Sequence, residues 1–114
     1  MTPIEDFNAN IIPLLCEKMP DEFAVLTETG KLHVSDGYEI NPISLDHVQR
    51  MSALIGAVTW AMCDNSLPRP WRYGWRRNEY AVMHESAYAG DGVFATESLA
   101  RLAAFNAAAK EVLK

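Results

Sequence analysis

Trp71-Arg72-Tyr73-Gly74-Trp75-Arg76, in the middle of the stretch Pro68 to Tyr80, alternates large rings with basic or small residues. Side chains of a strand point to opposite faces with a period of two. The order therefore predicts a β-strand with Trp71, Tyr73 and Trp75 on one face and Arg72, Gly74 and Arg76 on the other. Each ring can bury about 150–250 Å², and a monomer rarely leaves three of them wet together. The rings are expected to be core under helices, with the arginines in solvent. Pro68 to Tyr80 also holds two of the three tryptophans, two of the four tyrosines and four of the ten basic residues. Arg69, Trp71, Arg72, Trp75, Arg76 and Arg77 are accordingly the candidate binding residues. A guanidinium grips a carboxylate or phosphate through paired hydrogen bonds, and an aromatic face stacks on a base.

Outward from this strand, Asp64 to Pro70 has two prolines and Asn65-Ser66 and reads as a loop. Upstream of it, Ser44 is a cap for a helix expected over about Leu45 to Cys63, with Val48, Met51, Leu54 or Ile55, Val58 and Met62 at helical spacing. Trp60 lies off that stripe, at its margin or against a second element. Phe23 to Thr27 and Lys31 to Ser35 read as a hairpin, with Gly30 supplying a positive φ in the turn. Asp36-Gly37 is a second turn signal, and Tyr38 to Ile40 a short third strand that Pro42 prevents from continuing. At the start, Thr2, Pro3 and Glu5 combine an N-cap, a proline at the first helical position and a capping-box acid. Pro13 interrupts that helix, so a kink or break is expected near Ala9–Ile12.

Downstream, Arg77-Asn78 suits a short turn, followed by a strand over Glu79 to Glu85. Ala89-Gly90-Asp91-Gly92 is a further turn, and Val93 to Ala95 a short strand. Thr96 caps a closing helix in which alanine dominates, small-sided enough to approach a sheet closely. The fold class is α+β, ordered α-ββ-α-βββ-α: a mostly antiparallel sheet from two hairpin groups packed by about three helices. Residues 1–114 form a single domain, the common size for one core.

Apolar residues make up 49% and charged residues 22% of the chain, an ordinary globular balance that argues against disorder. The net charge of −5 is unevenly spread. Residues 1–46 carry nine acids against two bases, a balance of −7, and the remainder eight bases against six acids, a balance of +2. Such a chain lacks the broad basic footprint that duplex DNA demands. The arginine face instead suits a partner protein with an acidic surface, or alternatively a nucleotide or other anionic small molecule.

Catalytic and metal chemistry find little support. His33, His47 and His84 share no metal-ligand spacing, and Cys16 and Cys63 stand 47 positions apart without a C-x-x-C pair. Both cysteines lie in apolar surroundings. Gly90-Asp91-Gly92 lacks the lysine and hydroxyl of a phosphate loop, and no nucleophile motif surrounds any serine. No catalytic residue, metal or cofactor is assigned, and the chain is read as a binding protein before an enzyme. The longest apolar stretch, Ala53 to Cys63, is too short to span a bilayer, so no membrane partner is expected. Thr2 to Asp6 lacks the basic and apolar regions of a secretory leader, and a reducing cytoplasm is the expected setting. The alanine-rich helix and spare rings are compatible with a homodimer.

From Trp75 through Tyr80, Ala81 and Val82 to Gly92, Val93, Phe94, Ala95, Thr96, Glu97 and the alanine helix, a hairpin ends in an aromatic residue, a threonine caps, and a helix closes a short chain. This layout, over roughly the last forty residues, is similar to small phage- and prophage-encoded accessory proteins. The resemblance implies stoichiometric binding: inhibition of a host defence complex or transcription factor, or capture of a nucleotide signal. It assigns no residue a role.

Overall fold

The computed structural model describes residues 1–35, 37–63, 71–77, 83–85 and 94–114, with 77 and 83–85 described as backbone only. The elements follow the order α1 (Pro3–Asp6), a π-helical segment (Phe7–Ile11), α2 (Ile12–Lys18), β1 (Phe23–Val25), β2 (Leu32–Val34), α3 (Leu45–Leu54), β3 (Ala57–Cys63), β4 (Trp71–Arg77), β5 (Met83–Glu85) and α4 (Glu97–Val112). This is the α+β order α-ββ-α-βββ-α, built as one two-stranded and one three-stranded antiparallel sheet, β1-β2 and β3-β4-β5.

Short-range signals set the helix starts. Thr2 and Glu5 form the full capping box. Ser44 accepts from the His47 N–H at 3.4 Å and Thr96 from the Leu99 N–H at 3.2 Å, each satisfying a donor that the first helical turn leaves open. Pro13 does not break its helix. A proline inside a regular helix clashes with the carbonyl four residues earlier. Here the chain widens into the π segment just before it, and the Ile12 N–H reaches back five residues to the Phe7 carbonyl. The disturbance falls where the sequence places it, as a π-helical segment over Phe7–Ile11.

The first hairpin closes over Leu26–Lys31, with Gly30 at φ 68° as its left-handed turn residue. Tyr38 to Ile40 contributes one bridge, His33 to Glu39, rather than a third strand. The Asp36-Gly37 turn falls partly outside the described residues.

The central helix corrects the sequence expectation. It ends at Leu54, and Ala57–Cys63 is strand β3. Gly56, at φ 76°, takes the left-handed conformation that terminates helices, and its N–H bonds the Ala53 carbonyl at 3.1 Å. Beyond it Val58, Thr59 and Trp60 are β-branched or aromatic and prefer a pleated surface. The apolar run satisfied helical spacing and strand alternation at once, and pairing with β4 decided between them. Thus the second group of strands is β3, β4 and β5. Of the strand expected over Val93 to Ala95, Val93 lies outside the described residues and Phe94 makes one bridge, to Trp71. The expected loop at 64–70, the turn at Asn78 and the turn at 89–92 lie outside the described residues.

β3 and β4 pair over seven residues, from Ala57 opposite Arg77 to Cys63 opposite Trp71. Residues directly opposite share a face. Ala61 and Tyr73 therefore face inward with Thr59 and Trp75, and α4 lies against that side. Tyr73 packs with Ala100, Ala103 and Ala104, whose small side chains let the helix approach the sheet. Trp75 belongs to the main core with Phe105, Leu102, Phe7 and Ile11. Ser52 on α3 and Thr59 on β3, both buried, share a hydrogen bond of 3.0 Å, and Ser52 also donates to the Val48 carbonyl at 2.8 Å. At the other end of α4, Asn106 donates to the Pro3 carbonyl at 2.9 Å and Lys110 bridges Asp6 at 2.7 Å, tying the chain's two helical ends together. Among the described residues no helix is long and apolar enough to cross a membrane.

Candidate functional site

The split predicted for the opening strand is the geometry of the sheet. Tyr73 is 2% exposed and Trp75 3%, and Trp71 is half-buried at the margin of the same inner layer. Trp75 is therefore core, and its ring is withdrawn from the candidate contact set. Arg72 and Arg76 are exposed on the opposite face. Arg69 lies outside the described residues. Arg77 ends β4 with its backbone paired to Ala57.

Trp60 is the residue that sequence reasoning missed. Because 57–63 is a strand, Trp60 sits directly opposite Gly74, with Val58 opposite Arg76 and Met62 opposite Arg72. These six share the outer face. The indole lies flat across β4: a Cβ added at Gly74 would fall 2.5 Å from Trp60 Cζ2 and 2.6 Å from Cε2. Only glycine leaves that space, so Gly74 is there to receive the ring. Trp60 stays half-exposed and Met62 is 43% exposed. An aromatic residue and two arginines do come together on one surface, but the aromatic is supplied by β3 and not by the strand that carries the arginines. The signal that could have revealed it is Gly74 itself, a glycine inside a strand pattern, which often marks close approach by another group.

Along β4 the two arginines stand four residues apart, about 13–14 Å at the rise of an antiparallel strand, with Trp60 crossing between them. On β3, Val58, Trp60 and Met62 form a parallel apolar rail one strand spacing away. On the other side of β4, β5 places Met83 opposite Arg76 and Glu85 opposite Gly74, so a carboxylate-bearing position adjoins the two arginines on this face. β3 pairs with β4 alone among the described residues, and its edge is guarded at the middle: Arg101 Nη1 donates to the Thr59 carbonyl at 2.9 Å. A charged side chain over an edge carbonyl hinders addition of another strand.

Among the described residues, the remaining candidates stand apart from one another. His47 Nδ1 accepts the Asn41 N–H at 2.8 Å, so that nitrogen has a structural task in the turn before α3. His33 faces Glu39 at 3.9 Å across the single bridge next to β2. His84 stands at the register position opposite Trp75. A shallow recess of about 620 Å³ beside α3 is lined by Tyr38, Asp46, His47, Gln49, Arg50 and Ala53, with the Arg50 guanidinium 5.1 Å above the Tyr38 ring. Among the described residues no three ligating side chains are placed to hold a metal ion. Cys16 and Cys63 both remain thiols, and burial pushes the Cys16 thiol up despite a backbone hydrogen bond from Val25. No protein-family model, curated protein or solved structure matches the chain.

Proposed function

We propose that this is a non-enzymatic binding protein that engages a partner protein with an acidic surface through the outer face of the β3–β5 sheet. The carrying observation is the grouping of exposed Arg72 and Arg76 around Trp60, which lies on Gly74 with exposed Met62 beside it. Arginine and tryptophan are the residue types that dominate interface energetics, and a central ring with charged neighbours is the arrangement in which they do so. The inner rings serve a different purpose, fixing the strand on α4 so that its outer side chains are presented from a rigid element.

Stoichiometric binding of this kind fits the phage-type accessory role that the C-terminal layout suggests, with inhibition of a host complex as the outcome. The test is affinity capture from host extract with wild type against an Arg72→Glu, Arg76→Glu variant whose fold is verified by its amide spectrum. The partner is retained by wild type and lost by the variant. Equal recovery by a folded variant would remove this surface from the account.

A further inference from the structure

We propose that His47 is a pH-sensitive latch on the turn before α3: its neutral ring holds Asn41 to the helix, and a second ring proton releases it. The Asn41 N–H donates to His47 Nδ1 at 2.8 Å. A ring nitrogen that accepts carries no proton, so the neutral imidazole keeps its one proton on Nε2. With both nitrogens protonated, two N–H donors face each other at that distance, no acceptor remains between them, and the contact parts. Histidine is the side chain that ordinarily changes charge between about pH 5 and pH 8. The ring is only half-buried, so solvent protons reach it. The latch is therefore closed at the alkaline end of that range and open at the acid end.

What the latch holds is a short strap between two fixed points. Upstream, the Ile40 N–H donates to the Leu32 carbonyl of β2 at 2.8 Å. Downstream, Ser44 caps α3 by accepting the His47 N–H. Between them the Ser44 N–H reaches the Asn41 carbonyl at 3.0 Å and the Ile43 N–H reaches Asn41 Oδ1 at 3.2 Å, so the turn closes on Asn41, and Nδ1 fastens Asn41 to the helix. Asn41 is exposed and Ile43 is 49% exposed, so little apolar burial resists its movement. Asn41 and Pro42 also line a cleft of about 530 Å³ together with Phe7, Asn8 and Ile12 of the first helical segments. Release of the strap thus shifts one wall of that cleft. Among the described residues, the groups around the imidazole are Asp46 and Arg50 of α3, which line the same recess, and Tyr38, whose ring is 5.2 Å away and carries the Arg50 guanidinium. Asp46 favours a charged ring and Arg50 opposes it. The nearby Glu39 carboxylate is turned instead to Lys31 and His33 on β2.

The experiment follows isotope-labelled full-length protein by NMR from about pH 8 to about pH 5. At the alkaline end the His47 nitrogens should report a proton on Nε2 alone. As pH falls, the Asn41 amide should shift with the same midpoint as the His47 ring. Its protection from solvent exchange, corrected for the intrinsic effect of pH, should drop at least tenfold while Ile40 keeps its own. His47→Asn offers an oxygen near the place of Nδ1, an acceptor that does not titrate, and should hold the Asn41 amide protected across the range. His47→Ala removes the acceptor and should leave that amide unprotected throughout. A proton on Nδ1 at the alkaline end, separate midpoints for ring and amide, or an unchanged Asn41 amide beside a protonated ring each overturns the latch. The wild-type titration reads all three without any variant. An Asn41 amide that still titrates in folded His47→Asn overturns it as well, because another group then carries the response.

Discussion

Replacing Gly74 with alanine isolates the packing that creates the outer face. The new Cβ would stand 2.5–2.7 Å from three atoms of the Trp60 indole, so the ring must leave the strand. If roughly 100 Å² of ring area returns to water, the loss is about 2.5 kcal/mol at ~25 cal/mol per Å². Replacing a strand glycine recovers about 0.5–1 kcal/mol of backbone entropy. The net destabilisation is about 1.5–2 kcal/mol. Urea unfolding reads this directly, and the Trp60 indole resonance should move while that of Trp75 stays. The decisive control is the same substitution in a Trp60→Ala background, where the clash is absent and alanine should stabilise by about 0.5–1 kcal/mol. A substitution effect of the same sign and size in both backgrounds would refute the stacked arrangement.

Two further outcomes follow from the interior. Burial is the largest influence on the Asp6 carboxyl and pushes it up, but hydrogen bonds from Lys110 and Asn10 outweigh it and hold the group below its ordinary 3.8. Its stabilising contribution is therefore complete above about pH 4 and is lost as pH falls through the lower folded value. Urea titrations from neutral to acid pH should show Lys110→Met less stable at pH 7 but losing less than wild type in the acid range; parallel pH profiles would contradict the linkage. Alkylation at mildly alkaline pH should modify exposed Cys63 well before Cys16, whose thiolate is disfavoured by burial, and mass spectrometry of peptides distinguishes the two. Faster reaction at Cys16 would place α2 differently against β1.

What could be foreseen in the chain was what nearest neighbours decide. Thr2, Ser44 and Thr96 cap because the donor each satisfies is only three residues away. Gly30 turns because the hairpin around it is short. The faces of β4 were legible because the alternation from Trp71 to Arg76 is clean. β3 was not legible, because Val58 and Met62 continue the stripe of Val48 and Met51 at helical spacing, and local pattern cannot choose between two periods that both fit. Gly56 held the answer, but a glycine in an apolar run ends a helix only if the following residues find a strand to pair with. That pairing, Trp60 to Gly74, spans fourteen positions. For the same reason the candidate surface was half foreseen. The arginines announced themselves within their own strand, whereas the ring between them is contributed across a long-range pairing, and the nearer ring of Trp75 proved to be core.

The division of β4 into a buried ring face and an exposed arginine face carries the proposed contact surface, since a one-residue slip in register would exchange the two. A soluble paramagnetic agent that broadens solvent-exposed protons tests it in one spectrum. The ring protons of Tyr73 and Trp75 should be protected, and the side chains of Arg72, Arg76 and Met62 strongly broadened, with Trp60 between them. Broadening of the Trp75 ring together with protection of Arg72 and Arg76 would contradict the account.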